Sequence, residues 1–280
     1  PSQYNGFKLI IKKGVQLCAD KISQIKKIVF KDNFSPSLKR GKIKKINILD
    51  DYLSHILNSA KDISGLKIVV DYGNGVGAIP AQPVFKKLNL EVISMYEEPD
   101  GQFPNHLPNP HEIKFIRPLQ EMVKKERADL GIFFDGDADR SVIIDEKGEI
   151  VFPDLLFALL AQEELKKYKA TKIYYDLRFS KVVKEVIEKS GGVPIMMRVG
   201  NPFYKEKLIL EGGVLAGELS GHLMFKENFG IDDGLFAAIK TMNLISQFSK
   251  KLSQLIKPFK KYFQTEEINL KVKDKDKVLN

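Results

Sequence analysis

The stretch Leu130-Gly-Ile-Phe-Phe-Asp-Gly-Asp-Ala-Asp-Arg-Ser-Val-Ile-Ile144 sets the reading of the whole chain. An apolar run stops at Phe134, aspartates follow at 135, 137 and 139, and a second apolar run begins after Arg140. The pattern reads as strand, tight loop, strand. The aspartates then stand at the C-terminal end of a strand, where α/β sheets build their sites. Alternate spacing lets Asp135, Asp137 and Asp139 converge, and three such carboxylates are unfavourable until a cation neutralises them. Oxygen ligands alone favour Mg2+, and Arg140 beside them suits a phosphate oxygen. A solvated acidic turn is the plainer alternative. A calcium loop is a competitor, because Asp135, Asp137, Asp139 and Glu146 fall at EF-hand positions 1, 3, 5 and 12. Position 6 is Arg140 where that loop needs Gly, and the flanks are strand-like, so a calcium sensor is rejected.

Working outward, strands and helices alternate twice. Toward the N-terminus, a helix fits 50–60, a strand 67–70, a helix 78–88, a strand 91–95 and a helix 113–127. Toward the C-terminus, helices fit 154–168, 180–190, 202–210 and 232–252. Strands fit 172–175 and 193–197, and short strands flank 217–222. This alternation predicts an α/β protein: tandem α/β domains with mixed, mainly parallel sheets and flanking helices. An amphipathic helix is predicted over 14–30, with Val15, Cys18, Ala19, Ile22, Ile25 and Val29 on one face. The polar stretch 31–45 reads as a boundary. The expected divisions are 1–45 as the incomplete end of one domain, 46–148 and 149–256 as two α/β domains, and 257–280 as a linker containing a strand-like 267–272.

A chain of 280 residues has room for two or three domains. Its charge is 45 − 36 = +9, carried mostly by dispersed lysines. The densest cluster, Lys39 to Lys45, has no interleaved aromatics, which argues against a nucleic-acid partner. The excess positive charge suits an anionic small substrate. Cys18 is the only cysteine, so no disulfide forms within the chain, in keeping with a reducing cytoplasm. No apolar run nears the roughly 20 residues of a membrane span, so no membrane partner is expected.

Two further loops carry chemistry. In Gly217-Glu-Leu-Ser-Gly-His222, Glu218 and Ser220 face the same way in an extended loop, as neighbouring sugar hydroxyls would require. His222 suits phosphate binding or acid/base work, although an ordinary turn with an incidental His fits as well. Asp71-Tyr-Gly-Asn-Gly-Val-Gly77 invites a dinucleotide-binding reading, but its spacing is G-x-G-x-G, and no acidic residue stands where the fingerprint requires one. A structural turn with close helix packing is favoured.

Together these loops resemble the α-D-phosphohexomutase superfamily, and most of all its bacterial phosphomannomutase/phosphoglucomutase branch. Asp135 to Arg140 is similar to the metal loop Asp-Gly-Asp-Gly-Asp-Arg, with Ala138 for the usual Gly. Gly217 to His222 is similar to the sugar loop Gly-Glu-x-Ser-Gly-His. Tyr4-Asn-Gly-Phe-Lys8 is similar to the tail of the phosphoserine loop, and Gly101-Gln-Phe-Pro-Asn-His-Leu-Pro108 also looks like a family loop. The resemblance covers essentially the whole chain. It places the phosphoserine three residues before Pro1 and a phosphate-clamping fourth domain after the linker. The piece at hand is then expected to lack turnover and to hold metal weakly.

The resemblance implies reversible phosphoryl transfer between hexose 1-phosphate and hexose 6-phosphate through a 1,6-bisphosphate. It assigns Asp135, Asp137 and Asp139 to Mg2+, and Lys8, Arg140 and His222 to catalysis. Arg178, Arg198, Gly200, Asn201, Glu218, Ser220 and His222 would bind hexose phosphates. Arg178 stands where relatives commonly carry Lys and Asn201 where they often carry His, which shifts the acid/base role toward Lys8 and His222. Leu219 and the Tyr-Asn-Gly-Phe-Lys start favour the mannose/glucose branch over phosphoglucosamine mutase. A Mg2+-dependent phosphatase and a non-catalytic sugar-phosphate binding module are the other classes. A monomer or weak oligomer is expected.

Overall fold

The computed structural model describes every residue except 1–2, 4–5, 33, 36–38, 111, 264–269, 275–276 and 279–280. Tyr4 and Asn5 of the predicted turn, and Glu267 to Asn269 of the strand-like tail, lie outside the described residues.

The chain forms two sheets. In the first, β1 (Lys67–Asp71), β2 (Glu91–Met95) and β3 (Leu130–Phe134) run parallel, with β1 between the other two. β4 (Ser141–Asp145) returns antiparallel to β3, and β5 (Ile150–Val151) extends that edge. β1 and β3 are Val/Ile/Phe-rich rather than alternating because helices cover both faces of the sheet. α2 (Leu49–Ser59) and α3 (Ala78–Lys87) pack on one side, and α4 (Ile113–Glu126) on the other.

The second sheet repeats the plan. β6 (Lys172–Asp176), β7 (Val193–Met197) and β8 (Leu215–Gly217) are parallel with β6 central, and β9 (Leu223–Phe225) returns antiparallel to β8. α5 (Pro153–Lys167), α6 (Lys181–Lys189) and α7 (Asn201–Leu210) flank it. Gly217, the last residue of β8, has no room for a side chain, because a Cβ there would collide with the Phe157 ring of α5. In both units a strand–helix–strand–helix–strand order closes on a hairpin, so the acidic loop and the 217–222 loop occupy equivalent places.

α8 (Gly234–Phe248) joins the two units. Residues Gly234 to Ile245 are all buried, most of them apolar, and the buried Lys240 among them is paired with Glu164 at 2.6 Å and Glu227 at 2.8 Å. One continuous apolar cluster runs from Leu53 and Ile56 through α5 and α8 to Phe259. The helix predicted over 232–252 is divided. Asp233 caps α8 by accepting the Phe236 N–H at 2.9 Å, Ser249 turns left-handed (φ 47), and α9 (Leu252–Ile256) follows.

The predicted first helix is shorter than its apolar periodicity suggests. α1 covers Ala19–Phe30. Residues 9–17 instead double back, with Leu17 N donating to Leu9 O at 2.8 Å and Ile11 N to Val15 O at 2.9 Å around Gly14 at φ +78. Those bonds use backbone groups that a helix would need. Val15 is buried, whereas Ile22, Ile25 and Val29 are exposed. No helix among the described residues is long and apolar enough to cross a membrane.

Candidate active site

Asp135 follows the last residue of β3 and is nearly inaccessible. Its carboxylate accepts Arg140 N–H at 3.1 Å and Arg140 Nε–H at 2.8 Å, which folds the loop back on itself. Asp137 and Asp139 point out of the loop, and Lys8 Nζ reaches them at 2.8 and 2.6 Å. Each of the three aspartates offers an oxygen within 4.8 Å of the others. Burial pushes the Asp135 carboxyl up to about 6, against the opposing charge of Arg140. Asp137 is affected by burial too, but Lys8 and Arg140 outweigh it and hold the pKa below the usual range. For Lys8, burial works against the charge, and the two carboxylates more than reverse it. The ammonium of Lys8 thus stands where a cation is favoured. Glu146, the twelfth position of the rejected calcium loop, turns away to accept Ser253 N–H and Oγ–H.

The loop is held from two sides. Val76 N donates to Gly136 O at 3.1 Å, and a Cβ on Gly75 would sit 2.7 Å from that same oxygen. The glycine loop therefore packs on the acidic loop, a closer relationship than the helix packing expected of it. From α8, Gly234 N donates to Ala138 O at 2.9 Å. Ala138 is itself left-handed (φ 56), the conformation that a Gly would adopt without strain.

The glycine loop is braced in turn by the 101–108 loop. His106 Nε2 lies 3.0 Å from Asp71, at the end of β1, while Asn105 Nδ2 donates to Asn74 Oδ1 at 2.8 Å. His106 also stacks on Phe115 and Phe133. Burial lowers its pKa, but the bond and charge of Asp71 and the Leu107 carbonyl outweigh that and raise it.

Glu218 is buried at the end of the second sheet. Its Oε1 accepts Gly200 N–H and its Oε2 accepts Ser220 Oγ–H, both at 2.9 Å. Arg178 Nη2 stands 3.7 Å from Glu218 but pairs more closely with Asp176, at 2.7 Å. Arg198 stacks on Phe203, its guanidinium carbon 4.1 Å from the ring centroid. Asn201 Nδ2 donates to Asp232 at 2.9 Å. His222 Nδ1 lies 2.9 Å from Asp232 and 3.6 Å from Asp139 of the other sheet's loop. Two loops far apart in sequence therefore meet, with Lys8 against the first and Arg178, Gly200 and Asn201 around the second.

Sequence reasoning missed three buried aspartates. Asp71 accepts Gly73 N–H at 2.8 Å, and Asp176 accepts Arg178 N–H at 2.8 Å and Leu219 N–H at 2.9 Å. Both close strands of the form Lys-Ile-x-x-Asp, 67–71 and 172–176, a repeat visible in the sequence. Asp232 carries no such signal.

Residues 50–148 match the alpha/beta/alpha domain II of phosphoglucomutase/phosphomannomutase, and residues 152–262 match domain III. The chain belongs to the phosphoglucomutase/phosphomannomutase family. It is 37% identical over 98% of its length to a phosphomannomutase/phosphoglucomutase of Pseudomonas syringae pv. tomato, covering 58% of that protein. A phosphomannomutase of Methanocaldococcus jannaschii is 36% identical over the whole chain, with 63% of its own length covered. The crystal structure of a phosphoglucomutase/phosphomannomutase family protein from Burkholderia thailandensis superposes with a TM-score of 0.81 at 31% identity, over 85% of this chain and 52% of that one. The chain thus spans little more than half the length of the family members it matches. The domain II match contains β1 to β4 and the domain III match β6 to β9, so the acidic loop is a domain II feature and the 217–222 loop a domain III feature.

Proposed function

We propose that the whole protein is a phosphohexomutase that interconverts the 1- and 6-phosphates of glucose or mannose through a phosphoserine and a hexose 1,6-bisphosphate. The observation that carries this reading is the 3.6 Å approach of His222 to Asp139, which joins an anion-directed cation site to a sugar-directed loop.

The donor set fits Mg2+. Asp135, Asp137 and Asp139 offer only hard carboxylate oxygens, and Lys8 already acts on two of them as a stand-in cation. Bound there, Mg2+ would neutralise charge on the transferring phosphoryl group.

The chain's own residues supply the rest. A carboxylate has about four acceptor positions, and Glu218 spends one on Gly200 and one on Ser220. The others, with the Ser220 hydroxyl, are left for two adjacent sugar hydroxyls. Neighbouring equatorial hydroxyls look alike when the ring is flipped, so one site holds the sugar in both orientations. Arg178, Arg198 and Asn201, with the Gly200 backbone, would line the path of the distal phosphate. His222 accepts the proton of the attacking sugar hydroxyl. Arg140 lends positive charge to the phosphate oxygens, and Lys8, once displaced from the carboxylates, serves beside it.

The test is turnover by the full-length protein with Mg2+ and trace glucose 1,6-bisphosphate. Glucose 1-phosphate and mannose 1-phosphate are expected to yield their 6-phosphates. Release of inorganic phosphate without any bisphosphate requirement would mark a phosphatase and overturn the reading.

A further inference from the structure

Asp232 lies between β9 and α8, bridged to Met224, and only 7% of it is exposed. Donors reach its carboxylate from three directions. Lys205 Nζ stands 2.6 Å from Oδ1, Asn201 Nδ2 donates to Oδ2 at 2.9 Å, and His222 Nδ1 is 2.9 Å from the same Oδ2. Lys205 is buried as well, and it also donates to Gln16 Oε1 at 3.0 Å. A buried ammonium is unfavourable unless paired, and this pairing fixes the carboxylate in position. Burial raises the Asp232 pKa, but the bonds from His222 and Lys205 outweigh it, so the group stays ionised.

Asp139, His222 and Asp232 lie close enough together to hold an ion. A cation there would face the Lys205 ammonium across the same carboxylate, so the donors already on Asp232 give the cluster a different use. An ionised acceptor opposite Nδ1 holds the proton on that nitrogen and leaves Nε2 with its lone pair.

We propose that Asp232 is the positioning residue for His222: it accepts the Nδ1 proton, presents Nε2 as the proton acceptor, and is itself held by Lys205 and Asn201. Asn201 thereby acts as a donor to Asp232, where the family resemblance places a His. The catalytic part of this inference rests on the phosphohexomutase reading, whereas the tautomer does not.

The chain has four histidines, at 55, 106, 111 and 222. In 15N-labelled protein, His222→Gln identifies the His222 ring signals, and a titration of those signals locates the pH at which the ring is neutral. The neutral wild-type ring is expected to carry its proton on Nδ1. In Asp232→Asn, the amide NH2 faces Nδ1 when its oxygen faces Lys205, so the proton is expected on Nε2. In turnover by the full-length protein, Asp232→Asn is expected to lower kcat by about 100-fold or more, with KM for glucose 1-phosphate nearly unchanged. A neutral wild-type ring protonated on Nε2 overturns the proposal without reference to any variant, and so does an unchanged tautomer in folded Asp232→Asn. The expected tautomers in a protein without mutase turnover would overturn the function and leave the positioning role standing.

Discussion

His222 of the second sheet and Asp139 of the first face each other across 3.6 Å, although 83 residues separate them in sequence (222 − 139). The buried helix α8 makes this approach possible. Its N-terminal Gly234 bonds to Ala138 of the acidic loop, and the segment just before it supplies Asp232, which holds His222. One element thus fixes the distance between the two chemically distinct loops.

The acidic loop is expected to bind Mg2+ in competition with Lys8. In isothermal titration, Asp139→Asn should weaken binding by about 10-fold or more, at least the loss seen when even an outer partner of a metal is removed. Lys8→Gln should strengthen it, because an ammonium 2.6 Å from Asp139 is withdrawn. Unchanged affinity in both variants would count against the loop as the metal site.

Gly75 is expected to tolerate no side chain. The Cβ of Gly75→Ala would lie 2.7 Å from Gly136 O, so the acidic loop must shift. Overpacking of this kind costs about 1–3 kcal/mol, read as a lower urea midpoint together with weaker Mg2+ binding. Gly101→Ala meets open space and is expected to change neither.

His106 links stability to pH. Its folded pKa lies above the unfolded value of 6.5, so the stability it contributes is complete below about pH 6.5 and is lost as pH rises through the folded value. Urea unfolding at a series of pH values should show wild type losing stability on the alkaline side of pH 6.5. His106→Gln should lack that loss. Parallel profiles for the two proteins would show that the Asp71 pair carries no such linkage.

Much of the fold is legible because the central strands are continuous apolar runs bounded by polar loops. β2, β3, β4 and β7 coincide with the predicted segments, and the loops that follow β3 and β7 carry candidate site residues. The convergence of the three aspartates was equally legible, since alternate spacing in a tight turn between two apolar runs brings their side chains together. What escaped depended on contacts distant in sequence. Ile150 and Val151 form a strand only because β4 offers them an edge. The helix predicted from residue 14 begins at Ala19 because Leu9 and Leu17 pair first. Asp232 reads as an ordinary loop residue until Lys205, Asn201 and His222 are placed around it.

In the proposed phosphohexomutase, one pair of side chains, Glu218 and Ser220, holds the sugar in both orientations. The measurement that decides this is the affinity of glucose 1-phosphate and of glucose 6-phosphate for wild type and for Glu218→Gln. The substitution is expected to weaken both ligands by the same factor, and each ligand to displace the other from a single site in wild type. Weakening of one ligand alone, or simultaneous binding of both, would contradict it.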